Sequence, residues 1–160
     1  MKGLLSNIVV VVNGAESSIA AVKYAISLQK AYGCRVTAVY VVDTHTIRQL
    51  AHARIFIAEE SAEYERELES TGRRYLAFVE ELARTRGIAV ETRLVSGSIA
   101  SEVVRCADEL EADCILLGSF ERDTVFRDVI VEASREILRF AHCSVLIVRA
   151  RDAERAFRPE

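Results

Sequence analysis

Residues 115–148 carry the pattern that most restricts what this chain can become. Ile115-Leu116-Leu117 is apolar at every position and is closed by Gly118-Ser119. A charged segment, Glu121 to Asp128, follows. Val129, Ala133, Ile137 and Phe140-Ala141 then recur at three-to-four spacing, the period of a helix with one apolar face. A second apolar run, Val145 to Val148, ends the unit. Two such runs around an amphipathic helix predict two buried parallel strands joined by a crossover. The loop after the first strand then lies at the carboxyl edge of the sheet, where open α/β sheets bind ligands.

The rest of the chain repeats the alternation. Asn7 to Val12 and Arg35 to Val42 read as strands covered on both faces, and Ile88 to Val95 alternates more, as suits an edge. Between the first two, Ala20, Ala21, Tyr24, Ala25 and Leu28 give a helix face of small residues; Ser17 or Ser18 is expected to cap it and Gly33 to end it. Glu59 to Arg86 reads as a long helix, acidic at its start and basic at its end, which suits the helix dipole. Gly72 is expected to weaken it locally. Ile99, Val103, Val104, Ala107 and Leu110 mark a further helix. The order predicts one doubly wound α/β domain over residues 1–149, with five parallel strands and helices on both faces. Residues 150–160 are expected to be a charged, frayed tail.

Residues 43–57 read as a polar loop leading into the long helix. His45 and His52 stand seven apart, and a metal reading would need Asp43 or Glu59 as a third ligand. Ile55-Phe56-Ile57 is a small apolar cluster suited to closing over a pocket or meeting a partner. Cys34, Cys106, Cys114 and Cys143 form no C-x-x-C pair and read as buried hydrophobes in a reducing compartment.

Composition narrows the function. The net charge of −3 gives no general surface for nucleic acid or an anionic membrane. No apolar run approaches membrane length, and Met1-Lys2-Gly3-Leu4-Leu5 lacks the pattern of a cleaved leader, so a cytoplasmic location is expected. No P-loop, dinucleotide fingerprint or complete metal motif is present, and no nucleophile–base set can be argued, so no enzyme is expected.

Gly118-Ser119, Ser134-Arg135-Glu136-Ile137-Leu138-Arg139 and Cys143-Ser144-Val145-Leu146-Ile147-Val148 together resemble the C-terminal signature of the universal stress protein family. The resemblance runs over about residues 7–149. It implies an adenine nucleotide alpha hydrolase-like sheet of order 3-2-1-4-5, with a cleft between the first and fourth strands ringed by Asn13, Gly14, Gly97, Gly118 and the Glu121 loop. Nucleotide-binding members carry an aspartate at the position of Asn13, line the adenine pocket with the backbone at Val41, and place a glycine turn like that of Gly97 beside the phosphates or ribose. Their loop reads glycine, two residues, glycine, nine residues, then glycine with a hydroxyl residue. Here Gly118 keeps the first glycine, but Glu121, Val131 and Glu132 take the later positions.

A phosphate cradle needs bare backbone N–H groups, which glycine exposes. Carboxylates in its place oppose a triphosphate by roughly 4 kcal/mol at 4 Å near a protein surface. The expectation is a chain without the usual ATP triphosphate mode and without a cofactor. The alternative is an adenine-nucleotide module holding AMP, or ATP with Mg²⁺, through an altered loop. The resemblance also implies a homodimer in which Val145, Leu146, Ile147 and Val148 pair antiparallel with their copies. The competing reading has the tail after Arg149 folding over that edge. Protein partners are expected; nucleic acid and membrane are not.

Overall fold

A computed structural model describes residues 3–119 and 127–159, and of 127–130 the backbone alone. The elements are β1 (Asn7–Val12), α1 (Glu16–Tyr32), β2 (Arg35–Asp43), α2 (Thr44–His52), α3 (Ala58–Arg84), β3 (Glu91–Gly97), α4 (Ile99–Glu109), β4 (Cys114–Gly118), α5 (Arg127–Phe140), β5 (Ser144–Val148) and α6 (Ala150–Phe157). The strands form one parallel sheet in the order β3-β2-β1-β4-β5. This is the doubly wound sheet the apolar runs predict.

Alternation within β1 divides the core. Ile8, Val10 and Val12 face α1, α3 and α6, while Val9 and Val11 face α4 and α5. A strand buried between two helical layers has no polar side, which is why Ile8 to Val12 is apolar throughout. Two reaches of α3 against the sheet explain Gly72. A side chain there would put its Cβ 2.5 Å from Tyr40 Cδ1 and 2.8 Å from Leu94 Cδ1. Gly72 therefore permits a close helix–sheet approach, and its cost to the helix is offset by packing.

Three expectations are corrected. The segment after β2 is not a loop: Asp43 caps α2, accepting from the Thr46 N–H at 3.0 Å and the Thr46 hydroxyl at 2.6 Å, and Ile47 is buried beneath it. The N-cap of α1 is Ala15, not a serine. Ser18 lies inside the first turn, donating to the Ala15 carbonyl and accepting from the Asn13 N–H.

The tail is the third. Residues 150–157 are helical and pack on α1, with Ala153 fully buried. Lys23 pairs with Glu154 at 2.6 Å, and the Arg86 guanidinium lies 3.9 Å from the centre of the Phe157 ring. One small residue, one ring and opposite charges hold α6, and none of these makes an apolar run that a sequence reading would see.

Candidate functional site

Parallel strands all end on one edge, so the turns after β1 and β4 meet there. The cleft at that edge is lined by Val11, Val12, Asn13, Val41, Ile99, Leu117, Gly118, Ala133, Ser134 and Ile137. It spans about 490 Å³, part of it open to solvent. Its walls are aliphatic, and Asn13 and the buried Ser134 are its polar side chains.

Asn13 builds the turn out of β1. Its Oδ1 accepts the Ala15 N–H at 3.0 Å, and its own N–H reaches Ser18 Oγ at 3.3 Å. These bonds fix the oxygen of the amide, because the Ala15 N–H requires an acceptor. The Nδ2 group donates to no described residue.

The structure brings Asn13, Val41 and Gly118 together in the cleft; of the other predicted residues, those it describes are not in its lining. Gly14 has φ 84° and sits under the Tyr75 ring. Gly97 ends β3, paired with Asp43, with the Glu102 side chain packed over it. Ser119 donates its N–H to the Val148 carbonyl at 2.9 Å, tying β4 to β5. Glu132 is exposed on α5, next to the lining residues Ala133 and Ser134; Val131 is half-buried. Glu121 lies outside the described residues.

Each glycine attributed to a phosphate cradle has a neighbour that accounts for it. At Gly118 the reason is strongest: a Cβ would lie 2.3 Å from the Ser17 carbonyl oxygen and 2.4 Å from its carbon. β4 and the start of α1 approach backbone to backbone there, and no side chain fits between them. At Gly97 the Glu102 carboxylate occupies the space above the turn, 2.9 Å from where a Cβ would sit. Arg105 holds that carboxylate, and Glu109 and Arg93 continue the chain of ion pairs at 2.7 and 2.9 Å. The Arg93 and Arg105 guanidiniums keep Glu109 below the usual carboxylate range.

Reading the sequence alone missed Val11, Val12, Ile99, Leu117, Ala133, Ser134 and Ile137 as cleft residues. Ile99 and Ile137 were legible only as apolar helix positions; their helix-start and mid-helix placement at the sheet edge needed the fold. Ile55 and Ile57 are exposed and Phe56 packs on Tyr64 with ring centres 5.6 Å apart, so the cluster does not line the cleft. Among the described residues no three His, Cys, Asp or Glu side chains converge as a metal cage requires, and Asp43 is taken up in capping α2. Among them, too, no helix is long and apolar enough to cross a membrane.

Comparison with known proteins agrees with this architecture. A sequence profile of the universal stress protein family matches residues 5–149. A universal stress protein of Methanocaldococcus jannaschii is 30% identical over 149 residues, covering 92% of this chain and 84% of the relative. Among solved structures, UspA of Lactobacillus plantarum superposes with a TM-score of 0.75 at 19% identity, covering 92% of this chain and all of that one. A universal stress protein in complex with cAMP matches at TM-score 0.56 and 20% identity over 91% of this chain and 98% of its own. One from Archaeoglobus fulgidus in complex with dAMP matches at 0.56 and 18% over 91% and 99%. At these identities the structures speak for the fold, while the profile and the archaeal relative speak for descent. The chain belongs to the universal stress protein family.

Proposed function

We propose that this chain is a non-enzymatic stress-response or regulatory protein of the cytoplasm that acts as a homodimer through protein partners, without the usual ATP triphosphate mode. The observation that carries this reading is the carboxylate of Glu132, exposed beside two cleft-lining residues where nucleotide-binding members place a hydroxyl. Glu121 adds a second carboxylate by sequence. A triphosphate brings several negative charges to that side, and repulsion near a surface is worth roughly 4 kcal/mol per pair at 4 Å.

The two sheet edges support the dimer. β3 carries Glu91 and Arg93, paired with Arg35 at 3.3 Å and Glu109 at 2.9 Å, and charge guards an edge against further pairing. β5, Ser-Val-Leu-Ile-Val, carries no charge, and Leu146 is 38% exposed on it. Leu138 and Phe140, about half exposed, add apolar surface on the preceding helix. α6 packs on α1, which leaves β5 as the edge to be covered.

A second reading is favoured by the cleft itself. Asn13 and Val41 remain in place and could hold an adenosine-type ligand such as AMP without a triphosphate site. Thermal shift and calorimetry with AMP, ADP and ATP, with and without Mg²⁺, separate the two. A ligand at 100 times its dissociation constant stabilises the fold by about 2.7 kcal/mol. No shift with any nucleotide supports the partner-binding reading; a shift with AMP and a weaker one with ATP supports the second; tight Mg²⁺-dependent ATP binding overturns the first.

A further inference from the structure

We infer that the cleft is built for an uncharged nucleoside, and discriminates against phosphate on its ligand. The inference rests on the second reading above, that the cleft takes an adenosine-type compound. It begins with what lines the cleft. Of the ten described residues that line it, eight are aliphatic or glycine, the other two are Asn13 and Ser134, and none is charged. Val41, Ile99, Leu117 and Ile137 offer an aliphatic surface of the kind that buries a flat heteroaromatic ring. Asn13 adds the hydrogen-bonding that a purine edge needs: Nδ2 has no partner among the described residues and can donate to a ring nitrogen, and Oδ1 keeps a second lone pair beyond the one used by the Ala15 N–H. An amide with both functions is the side chain that pairs with adenine through N6 and N7.

Among the described residues nothing comparable awaits a phosphate. No lysine or arginine among the described residues lines the cleft. Two carboxylates flank it instead. Glu102 is packed against Gly97, two residues before the lining residue Ile99, and Glu132 is exposed one residue before Ala133. Glu102 already has Arg105 as its partner, so that arginine is occupied in holding the carboxylate in place. At Gly118 and Gly97 the space a side chain would take is already occupied by Ser17 and Glu102. Each phosphate added to a nucleoside therefore brings charge toward carboxylates and, among the described residues, gains no cation.

The test is calorimetry on the full chain with adenosine, AMP and ATP at low and high salt. Adenosine is expected to bind roughly tenfold tighter than AMP at low ionic strength, and ATP weaker still, as for repulsion at about 7 Å with screening between surface and water. Raising salt should narrow the gap, because the Debye length falls to about 3 Å at 1 M. Glu132→Gln, on an exposed position, should narrow it to about threefold without altering the melting temperature. Asn13→Ala should weaken adenosine at least tenfold, which places the ligand in this cleft. AMP binding tighter than adenosine overturns the inference and leaves the second reading standing. No binding by any of the three overturns both. A preference for adenosine that neither salt nor Glu132→Gln changes overturns the electrostatic basis.

Discussion

On the β1–β2 side of the cleft, Asn13, Val41 and Ile99 offer one amide and an aliphatic wall; on the β4–α5 side, Gly118 is pressed against Ser17 and Glu132 stands beside the opening. On the reading proposed above, the first side keeps what a ring-shaped ligand needs, while the second keeps a glycine that packing accounts for. The contrast teaches that a residue which also carries packing is held in place, whereas an exposed position such as Glu132 is free to vary.

The sharpest way to break the comparison is at Gly118. If Gly118 serves packing, Gly118→Ala should destabilise the fold by about 3 kcal/mol, since the added carbon meets a backbone carbonyl that cannot turn aside. Denaturant unfolding measures this. A loss below about 0.5 kcal/mol would return Gly118 to the role of ligand cradle.

The α5 side also leads to the β5 edge, which no described strand covers on its outer side. Leu146→Lys should weaken self-association at least a hundredfold, about 2.7 kcal/mol, in analytical ultracentrifugation. Ligand binding on the β1–β2 side should be unchanged. A wild-type protein that sediments as a monomer would remove the dimer from the account. Next in size, the combined change Glu121→Gly, Val131→Gly and Glu132→Ser should raise ATP affinity at least tenfold, about 1.4 kcal/mol, and leave adenosine within threefold. Equal gains for both ligands would mean that the two sides of the cleft are not independent.

The smallest effects belong to the opposite edge of the sheet, where Cys114 opens β4 and Cys143 precedes β5. Burial, reinforced by the nearby Cys143, pushes the Cys114 thiol up to about 11 from an ordinary 9.0. The folded chain thus resists ionising a thiol that the unfolded chain ionises near 9.0. The stabilisation is complete below that pH and is lost as pH rises toward 11. Denaturation at pH 8 and pH 10.5 should show the later as the less stable, and Cys114→Ala should flatten that slope. Alkylation of Cys114 at pH 8 should be slow, with or without ligand at the far edge.

Much of the fold was legible because its inner strands have no polar face. Ile8 to Val12 and Ile115 to Leu117 announce a doubly covered sheet, and a parallel sheet brings the turns after β1 and β4 to one edge without further information. What stayed hidden depends on tertiary neighbours. α2 is short, mostly polar, and set by the Asp43 cap rather than by an apolar stripe. α6 is held by Ala153, Phe157 and Lys23–Glu154, partners that lie far off in the chain. Gly72 looked like a weakness until Tyr40 and Leu94 were seen against it. In the site, Asn13, Val41 and Gly118 could be named from sequence, but the reason for Gly118 lies in Ser17, 101 residues away in the chain and in contact in space.

The measurement that bears most directly on the central claim is calorimetric titration of the wild-type protein with ATP and Mg²⁺, set beside AMP under identical conditions. The account predicts that ATP binds no tighter than AMP, and that Mg²⁺ gives it no more than a few-fold gain. ATP binding at least tenfold tighter than AMP in the presence of Mg²⁺ would contradict it, and would mean that Glu121 and Glu132 serve the metal rather than exclude the phosphates.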